Sequence, residues 1–483
     1  MIIIKKLIIP LMLVPIMIIL SLKFIQRSKN QKPMVIVVPS YNNKDWYKKN
    51  LDSVFMQQYD NYRVIYINDA STDNTGKLVE EHVKKNNQNH RFTIIHNKKN
   101  VGAMANHYRA NHMCQDNEII VHLDGDDWFK HEYALQRINK AYQNENIWLT
   151  YGQFEELYLD KTNKKLCAKI GLCKKTHKSI INKHAYRECN WVYSQPRTFY
   201  AGLFKHIKLC DFLYDGKFFE AACDVAMIYP MLELSGGKFM FIDEILYVYN
   251  TLNPIRDHTI RFFTQLHIHQ MISASEKYQP LKIEGIPKRN IPRNAAADFI
   301  IISDKNPDRL EITIKSIKDY AKGLRKIYII PKNSNQNFKR LLEQTIRSSK
   351  SNYIFLTEDN MAIKNFVDIS RCIQLLEQTY AYGFYLALGK DVTKNCLLCR
   401  NQRIPNSCEV DENIHAWQFK SGEYHWREPN NLAMTLYRKQ DILNTIQPIN
   451  YNSIEQLTKH WNSTKFNTKN VGLFFEKSKA TTI

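Results

Sequence analysis

Short apolar runs alternate with amphipathic stretches along the chain from residue 34 onward. The pattern predicts strands at Met34–Val38, Arg63–Ile67, Phe92–Ile95 and Glu118–Leu123, with helices between them. Strands that alternate with helices indicate βαβ units around a parallel sheet. We therefore expect an α/β domain with a doubly wound, mostly parallel sheet, whose ligand lies beyond the carboxyl ends of its strands.

The pattern is less regular after Trp148 and then becomes regular again near residue 296. Ala221–Leu234 is helix-like and is ended by glycines, and strands are predicted at Phe239–Ile242 and Ile245–Tyr249. The stretch 279–295 contains three prolines and few large apolar residues, which is typical of a linker. We predict a first domain over 34–278, a linker over 279–295 and a second α/β domain over 296–483.

The N-terminus differs from the rest of the chain, because Leu7–Leu22 is apolar apart from Pro10, Pro15 and Ser21. A bilayer span needs about 20 residues, which this run reaches when its flanks are included. No small-residue cleavage site follows the run. We predict a single-pass transmembrane anchor over 1–25 and a linker over 26–33, with the catalytic part cytoplasmic. A cleaved signal and a peripheral segment are the alternatives.

The chain is basic, with a formal net charge of +21. Such a balance favours anionic partners: nucleic acid, an anionic membrane surface or phosphorylated substrates. The cationic residues are dispersed and form no compact stripe or known nucleic-acid module, so we expect no nucleic-acid partner.

The ten cysteines follow no repeated spacing. Cys396 and Cys399 form one C-x-x-C, whereas a structural zinc site usually needs a second pair or added histidines. We therefore expect thiols, as in a reducing compartment.

An acidic turn, Asp124-Gly125-Asp126-Asp127, directly follows an apolar run. Two carboxylates two residues apart at a strand end can face one ligand, and Gly125 allows close backbone approach. Mg²⁺ and Mn²⁺ prefer such oxygen ligands and can take the rest from phosphates. We predict a divalent metal at Asp124 and Asp126, with Asp127 orienting the ligands; a solvated surface turn is the alternative.

Two further carboxylates have positions suited to chemistry. Asp69 ends the second strand and can hydrogen-bond a nucleoside, although an Asx-turn that starts the next helix is the alternative. Asp224 opens an otherwise apolar helix, where a carboxylate is costly without a purpose or a partner. It is our candidate base for an acceptor hydroxyl, with a helix cap as the alternative.

Taken together in this order, the motifs resemble family 2 glycosyltransferases of the GT-A fold, the nucleotide-diphospho-sugar transferase fold. The matching segments are Val38-Pro39-Ser40-Tyr41-Asn42, Ile67–Asp73, Asn100-Val101-Gly102, Leu123–Asp127 and the later Asp224. The subgroup that the chain resembles most has segments like Arg197-Thr198-Phe199-Tyr200-Ala201 near the site.

The resemblance implies an inverting, metal-dependent transfer from a nucleotide-sugar, usually a UDP-sugar, to a hydroxyl of a glycan, lipid or protein. It places Asp224 as base, and Asp124 and Asp126 on ribose and metal. The donor-binding set is Pro39, Tyr41, Asp69, Gly102, Asp124, Asp126 and Asp127. One departure is Cys223, since many members have Glu there. His258 lies where some GT-A enzymes have a further metal or phosphate ligand, and an ordinary surface histidine is the alternative.

The second half contains another strand that runs into an acidic turn, Thr357-Glu358-Asp359-Asn360. Trp426, Pro429 and Leu436–Lys439 resemble segments downstream of a GT-A site. No counterpart of Asp224 is apparent, because Asn430–Met434 lacks a carboxylate. We expect a degenerate GT-A-like domain for acceptor binding or scaffolding, with a second catalytic domain as the alternative.

Two other functions fit parts of the pattern. A nucleotidyltransferase also joins such a sheet to a carboxylate-bound metal, but usually has a Gly-rich, basic loop after its first strand. Here that loop is Pro39–Asn43, without glycine. A non-catalytic sugar-nucleotide-binding scaffold is disfavoured because Asp124, Asp126 and Asp224 are all present.

Overall fold

The computed structural model describes residues 31–160, 162–255, 260–304, 306–332, 338–395, 400–462 and 470–483. Within these ranges no helix has the length and apolar character needed to cross a membrane. The predicted anchor over 1–25, His258 and the Cys396–Cys399 pair lie outside the described residues. No disulfide joins the cysteines inside the ranges.

The strands, in chain order, are β1 Met34–Ser40, β2 Tyr62–Asn68, β3 Phe92–His96, β4 Ile119–His122, β5 Trp128–Phe129, β6 Leu149–Asp160, β7 Lys165–Ile170, β8 Thr198–Tyr200, β9 Leu213–Tyr214, β10 Lys217–Phe218, β11 Phe239–Asn250, β12 Ala297–Ser303, β13 Ala321–Lys322, β14 Leu324–Pro331, β15 Tyr353–Glu358, β16 Met361–Ile363, β17 Val367–Asp368, β18 Gly383–Tyr385, β19 Lys394–Asn395, β20 Arg400–Asn401, β21 Ser407–Asp411, β22 Ile414–Gln418, β23 Thr435–Arg438, β24 Val471–Phe475 and β25 Ala480–Thr482. The α-helices are α1 Tyr47–Phe55, α2 Thr75–Lys85, α3 Ala103–Met113, α4 Ala134–Tyr142, α5 Lys178–Asn182, α6 Ala201–Phe204, α7 Cys223–Ser235, α8 Phe262–Ser273, α9 Pro307–Tyr320, α10 Phe338–Ser348, α11 Ile369–Thr379, α12 Lys439–Ile446 and α13 Ile454–Trp461. Short 3₁₀ helices lie at Leu209–Phe212, Phe419–Ser421 and Tyr424–Trp426.

The described chain divides into two compact units. The first contains residues up to 207 and 220–289, and the second contains 208–219 and 290–483. The second unit thus begins close to the predicted linker. Nothing in the sequence indicated that Lys208–Phe219, which interrupts the first unit, packs with the second.

The first unit is built on one large sheet with the order β3-β2-β1-β4-β8-β6-β11-β5, and β7 pairs with β6. Strands β1 to β4 are parallel, as predicted. The expectation of a mostly parallel sheet is wrong beyond them, because β8 runs antiparallel to both β4 and β6. The α/β class is confirmed, and the sheet is mixed.

The reason is the connectivity after Trp148. Strand β6 forms an antiparallel hairpin with β7. After a long irregular stretch, β8 pairs with β6 and also runs antiparallel to it. The two strands predicted after Gly237 are one strand, β11, whose register against β6 shifts between Ile242 and Tyr247. Antiparallel pairs need no helical crossover, so the helix–strand alternation that marks parallel units is lost here.

The sheet of the second unit has the order β14-β12-β15-β23-β18-β24-β22-β21. It is also mixed: β12 is parallel to β14 and β15, whereas β23 is antiparallel to β15 and β18. Its core combines the apolar runs of these strands with buried tryptophans, among them Trp417, Trp426 and Trp461.

Local sequence explains where the central elements of the first unit begin and end. The apolar β1 is buried on both faces, as expected for a strand between two parallel neighbours. Gly102 precedes α3 with φ of +86°, a conformation that glycine adopts readily. Strands β1, β2 and β4 all end at the same edge, so the residues that follow them converge there.

Candidate active site

A cavity of about 550 Å³ lies at this edge of the first unit. Its walls contain nearly all the predicted site residues. These are Pro39, Tyr41, Asp69, Gly102, Asp124, Asp126 and Asp224. The cavity is large enough for a small-molecule ligand, since such sites typically measure about 300–1,000 Å³.

Asp124 and Asp126 follow β4 and are each held by an amide side chain. Asp124 Oδ2 accepts a hydrogen bond from Gln195 Nε2 (3.0 Å), and Asp126 Oδ2 accepts one from Asn253 Nδ2 (2.7 Å). Burial raises the pKa of Asp124, and the nearby guanidinium of Arg197 opposes this shift. The two carboxylates are therefore oriented by neutral donors and share one cavity wall.

Asp127 does not line the cavity, although it belongs to the predicted donor-binding set. It is 1% exposed. Its carboxylate accepts hydrogen bonds from Tyr247 Oη (2.7 Å) and from the backbone N–H of Asn250 (2.7 Å), both on β11. Burial and the negative charge of Asp126 raise the pKa of Asp127 well above its usual range. Its visible role is to attach the acidic turn to the sheet.

Asp69 is buried at the end of β2, where it organises a loop. Oδ1 accepts from the N–H of Val101 (2.9 Å) and Oδ2 from the N–H of Gly102 (2.9 Å). Asn97 Nδ2 also donates to Oδ1 (2.7 Å). Asp69 thus fixes the loop that leads into α3 and faces the cavity as well. An Asx-turn would bond the carboxylate to residues just after Asp69. The observed partners instead lie about thirty residues further along the chain.

Asp224 is the second residue of α7 and is partly exposed to the cavity. Arg197 Nη1 donates to its Oδ2 (3.2 Å), and the N–H of Val225 donates to its Oδ1 (2.9 Å). Ala222, just before the helix, has φ of +55°, which is costly for a residue with a Cβ and is often found at functional sites. Asp124, Asp224 and Arg197 are close enough to interact electrostatically.

Two buried histidines with closely spaced, tilted rings lie beside Arg197. The rings of His107 and His122 have centroids 4.1 Å apart, and His107 reaches the cavity. Burial, together with the charge of Arg197, lowers the pKa of His107 to about 3. Both rings are therefore neutral at physiological pH, which avoids further positive charge beside Arg197.

The residues present fit a divalent cation of the Mg²⁺ or Mn²⁺ type. Asp124 and Asp126 supply hard oxygen ligands, which these ions prefer, and such ions often keep waters and substrate phosphates as their other ligands. Across the described ranges no group of three or more His, Cys, Asp or Glu side chains could by itself hold a metal ion. The donor set therefore suits a cation that is shared with a phosphate ligand.

Several cavity residues were not assigned a role from the sequence. They are Asn43, Asn106, His107, Gln195, Arg197 and Asn253. Arg197 lies in a segment that carried the family resemblance, but its contact with Asp224 joins residues 27 positions apart. Asn253 joins Asn43 and Asp126 from the far end of β11. Single polar residues in irregular segments leave no spacing signal.

Comparison with known proteins finds that the first unit is similar to glycosyltransferases. Residues 35–197 match the family model described as glycosyl transferase family 2. The glycosyltransferase GlyA of Streptococcus pneumoniae is 23% identical over 263 residues, which cover 53% of this chain and 35% of that protein. The chain thus matches only about a third of the length of this relative.

Two solved structures have low overall similarity to this chain. The Staphylococcus aureus TarS fragment 1–349, in complex with UDP-GlcNAc, has a TM-score of 0.35 at 14% identity, over 47% of this chain and 61% of TarS 1–349. The mannosyltransferase PcManGT from Pyrobaculum calidifontis, in complex with GDP-Man and Mn²⁺, has a TM-score of 0.34 at 15% identity, over 51% and 66%. The family match is confined to residues 35–197, which lie in the first unit.

Proposed function

We propose that this chain transfers a sugar from a nucleotide-sugar, most simply a UDP-sugar, to a hydroxyl acceptor, with inversion at the anomeric carbon. The observation that carries the proposal is the meeting of Asp124, Asp126 and Asp224 in the cavity of a domain that matches family 2. The acceptor is a glycan, lipid or protein, and the apolar N-terminal run would hold the enzyme at a membrane with its catalytic part in the cytoplasm.

The nucleotide and its diphosphate would occupy the side formed by Asp69, Gly102 and the acidic turn. Asp124 and Asp126 would hold the divalent cation, which, when bound, neutralises charge on the leaving diphosphate. Gly125 lets the turn lie against β1, since a Cβ there would be 2.7 Å from that of Ser40. A residue with a side chain at this position would therefore push the turn away from the strand.

Asp224 would take the proton from the acceptor hydroxyl as its oxygen attacks the anomeric carbon from the face opposite the nucleotide. The bond to the diphosphate oxygen breaks with its electron pair, and the nucleoside diphosphate leaves. Arg197 keeps Asp224 oriented by its 3.2 Å hydrogen bond. General-base assistance typically contributes about 10²–10⁴-fold to the rate.

The test is a thermal-shift screen of nucleotide-sugars with Mn²⁺, followed by transfer assays on the donor that binds. Binding to the folded state should raise the melting temperature. We expect Asp126→Asn to lose the Mn²⁺-dependent shift. Asp224→Asn should keep the shift and lower kcat about 100-fold or more.

Asp60→Asn serves as the control, because Asp60 is exposed in the first unit and is not among the residues that line the cavity. The proposal is wrong if no nucleotide-sugar raises the melting temperature, or if Asp126→Asn responds like Asp60→Asn. NMR of the product would test inversion directly.

A further inference from the structure

The second unit repeats the strand order and strand directions of the first. The path β2-β1-β4-β8-β6-β11 corresponds to β14-β12-β15-β23-β18-β24. In both paths the first two pairs and the last pair are parallel, and the two pairs between them are antiparallel. This agreement lets residues of one unit be placed on those of the other without any sequence alignment.

Backbone hydrogen bonds at the strand ends show which residue of the second unit corresponds to Asp69, the proposed nucleoside-binding residue of the first. In the first unit the N–H of Asp69 donates to the carbonyl of Ser40 (2.9 Å). In the second unit the N–H of Lys332 donates to the carbonyl of Ser303 (2.7 Å). Lys332 therefore stands where the first unit has Asp69.

The acidic turns correspond in the same way. The N–H of Gly125 donates to the carbonyl of Pro39 (3.2 Å), and the N–H of Asp359 donates to the carbonyl of Ile302 (3.2 Å). Asp359 therefore matches Gly125, so that Glu358 matches Asp124 and Asn360 matches Asp126. The Asp359 carboxylate is already bonded, since its Oδ2 accepts from Ser303 Oγ (2.6 Å) and from the N–H of Asp304 (3.0 Å).

The base position has a counterpart that the sequence did not reveal. Asp224 is the second residue of α7, the helix that precedes β11. Among the described residues, the helix that precedes β24 is α13, and its second residue is Glu455. The segment Asn430–Met434, which the sequence analysis compared with the Asp224 position, instead precedes β23.

The three matched residues form one ion-pair chain. Lys332 Nζ lies 3.6 Å from Glu358 Oε2 and 3.4 Å from Glu455 Oε1. We infer that the second unit is a catalytically silent copy of the transferase fold, in which the ammonium of Lys332 neutralises the carboxylates that would otherwise face a divalent cation and an acceptor. The chain then has one transferase site. This inference rests on the proposed function of the first unit.

Binding stoichiometry tests the inference on the full-length chain. Calorimetric titration with UDP and Mn²⁺ should give one nucleotide per chain, and Asp126→Asn should abolish it. Two nucleotides per chain, or residual binding in Asp126→Asn that Glu358→Gln removes, would overturn the inference alone. No binding to the unaltered chain would overturn the proposed function, and the inference with it.

Matched substitutions test the base positions. Asp224→Asn should lower kcat about 100-fold or more, whereas Glu455→Gln should change it less than about twofold. Glu455 is 67% exposed, so its substitution leaves the fold intact. Comparable losses in the two variants would contradict a silent second unit.

A third experiment tests whether the ammonium of Lys332 occupies the position that a divalent cation would take. With UDP present to supply phosphate oxygens, Lys332→Ala should bind more Mn²⁺ than the unaltered chain, as seen by electron paramagnetic resonance, and Glu358→Gln in the same chain should remove the increase. Unchanged Mn²⁺ binding in Lys332→Ala would show that the ammonium does not stand in for a cation.

Discussion

At the scale of single residues, Tyr247 is one of the two residues through which β11 holds the acidic turn, the other being Asn250. Its hydroxyl donates to Asp127 Oδ2 (2.7 Å) and accepts from the N–H of Asp124 (3.2 Å). Burial, with the charges of Asp127 and Asp124, raises the pKa of Tyr247 well above its usual range, so the hydroxyl keeps its proton as a donor. The position of Asp124 therefore depends on a residue that does not line the cavity.

We predict that Tyr247→Phe destabilises the protein by about 1–3 kcal/mol, because the buried carboxylate of Asp127 loses a donor. Transfer activity should fall as well, since the amide of Asp124 is no longer held. Urea unfolding and initial rates check this, with Tyr133→Phe as the control because Tyr133 is 43% exposed. Equal unfolding midpoints in the two variants would exclude this role.

The sequence predicted the carboxylates of the site because each directly follows a strand or opens a helix. Asp69, Asp124, Asp126 and Asp224 lie in motifs whose neighbours predict those elements. Gln195 and Asn253 could not be found this way. Each reaches its aspartate from an irregular segment, and only the folded sheet brings the two together.

At the scale of elements, a buried ion pair joins the helix that contains Asp224 to the next helix. Arg187 donates from Nε to Glu233 Oε1 on α7 (2.6 Å) and from Nη1 to the carbonyl of Ile272 on α8 (2.6 Å). Both charged side chains are almost inaccessible to solvent. A buried pair of this kind is strongly coupled, because either charge alone is costly.

We predict that Arg187→Met lowers the free energy of unfolding by about 3–5 kcal/mol, because Glu233 is left charged and buried. Arg187→Met combined with Glu233→Met should be more stable than Arg187→Met alone. A double-mutant cycle in urea measures this coupling. Strictly additive losses would mean that the two side chains act independently.

The elements that the sequence predicted well are those with one unbroken pattern. Strands β1, β2 and β4 are short apolar runs ended by polar turns, and their predicted bounds agree closely with the structure. Strand β11 was split because Asp243 and Glu244 interrupt its apolar pattern. These two residues are exposed where the register against β6 shifts, so the interruption marks an irregularity within one continuous strand and no turn.

At the scale of the whole molecule, the segment Lys208–Phe219 belongs to the second unit although the first unit resumes at residue 220. Asp215 accepts hydrogen bonds from Asn406 Nδ2 and Ser421 Oγ, both at 2.6 Å. The N–H of Gly216 donates to Gln418 Oε1 (3.1 Å). Gly216 has φ of +74°, and a Cβ there would lie 2.1 Å from the carbonyl oxygen of Asn406.

We predict that Gly216→Ala destabilises the second unit by about 1–3 kcal/mol through strain and this clash. Gly285→Ala is the matched control, because Gly285 has φ of +69° with no atom within 4 Å of an added Cβ. The difference in melting temperature between the two variants isolates the clash. Equal shifts would show that Asn406 moves aside freely.

Because of this segment, the polypeptide crosses between the units three times: after Ile207, before Glu220 and after Arg289. A gene fusion or recombination event with a single breakpoint near residue 290 would therefore not deliver an intact second half. It would leave Asp215 and Gly216 in one lineage and Asn406, Gln418 and Ser421 in another. An intact second half would be transferred only if residues 208–219 moved together with residues 290–483.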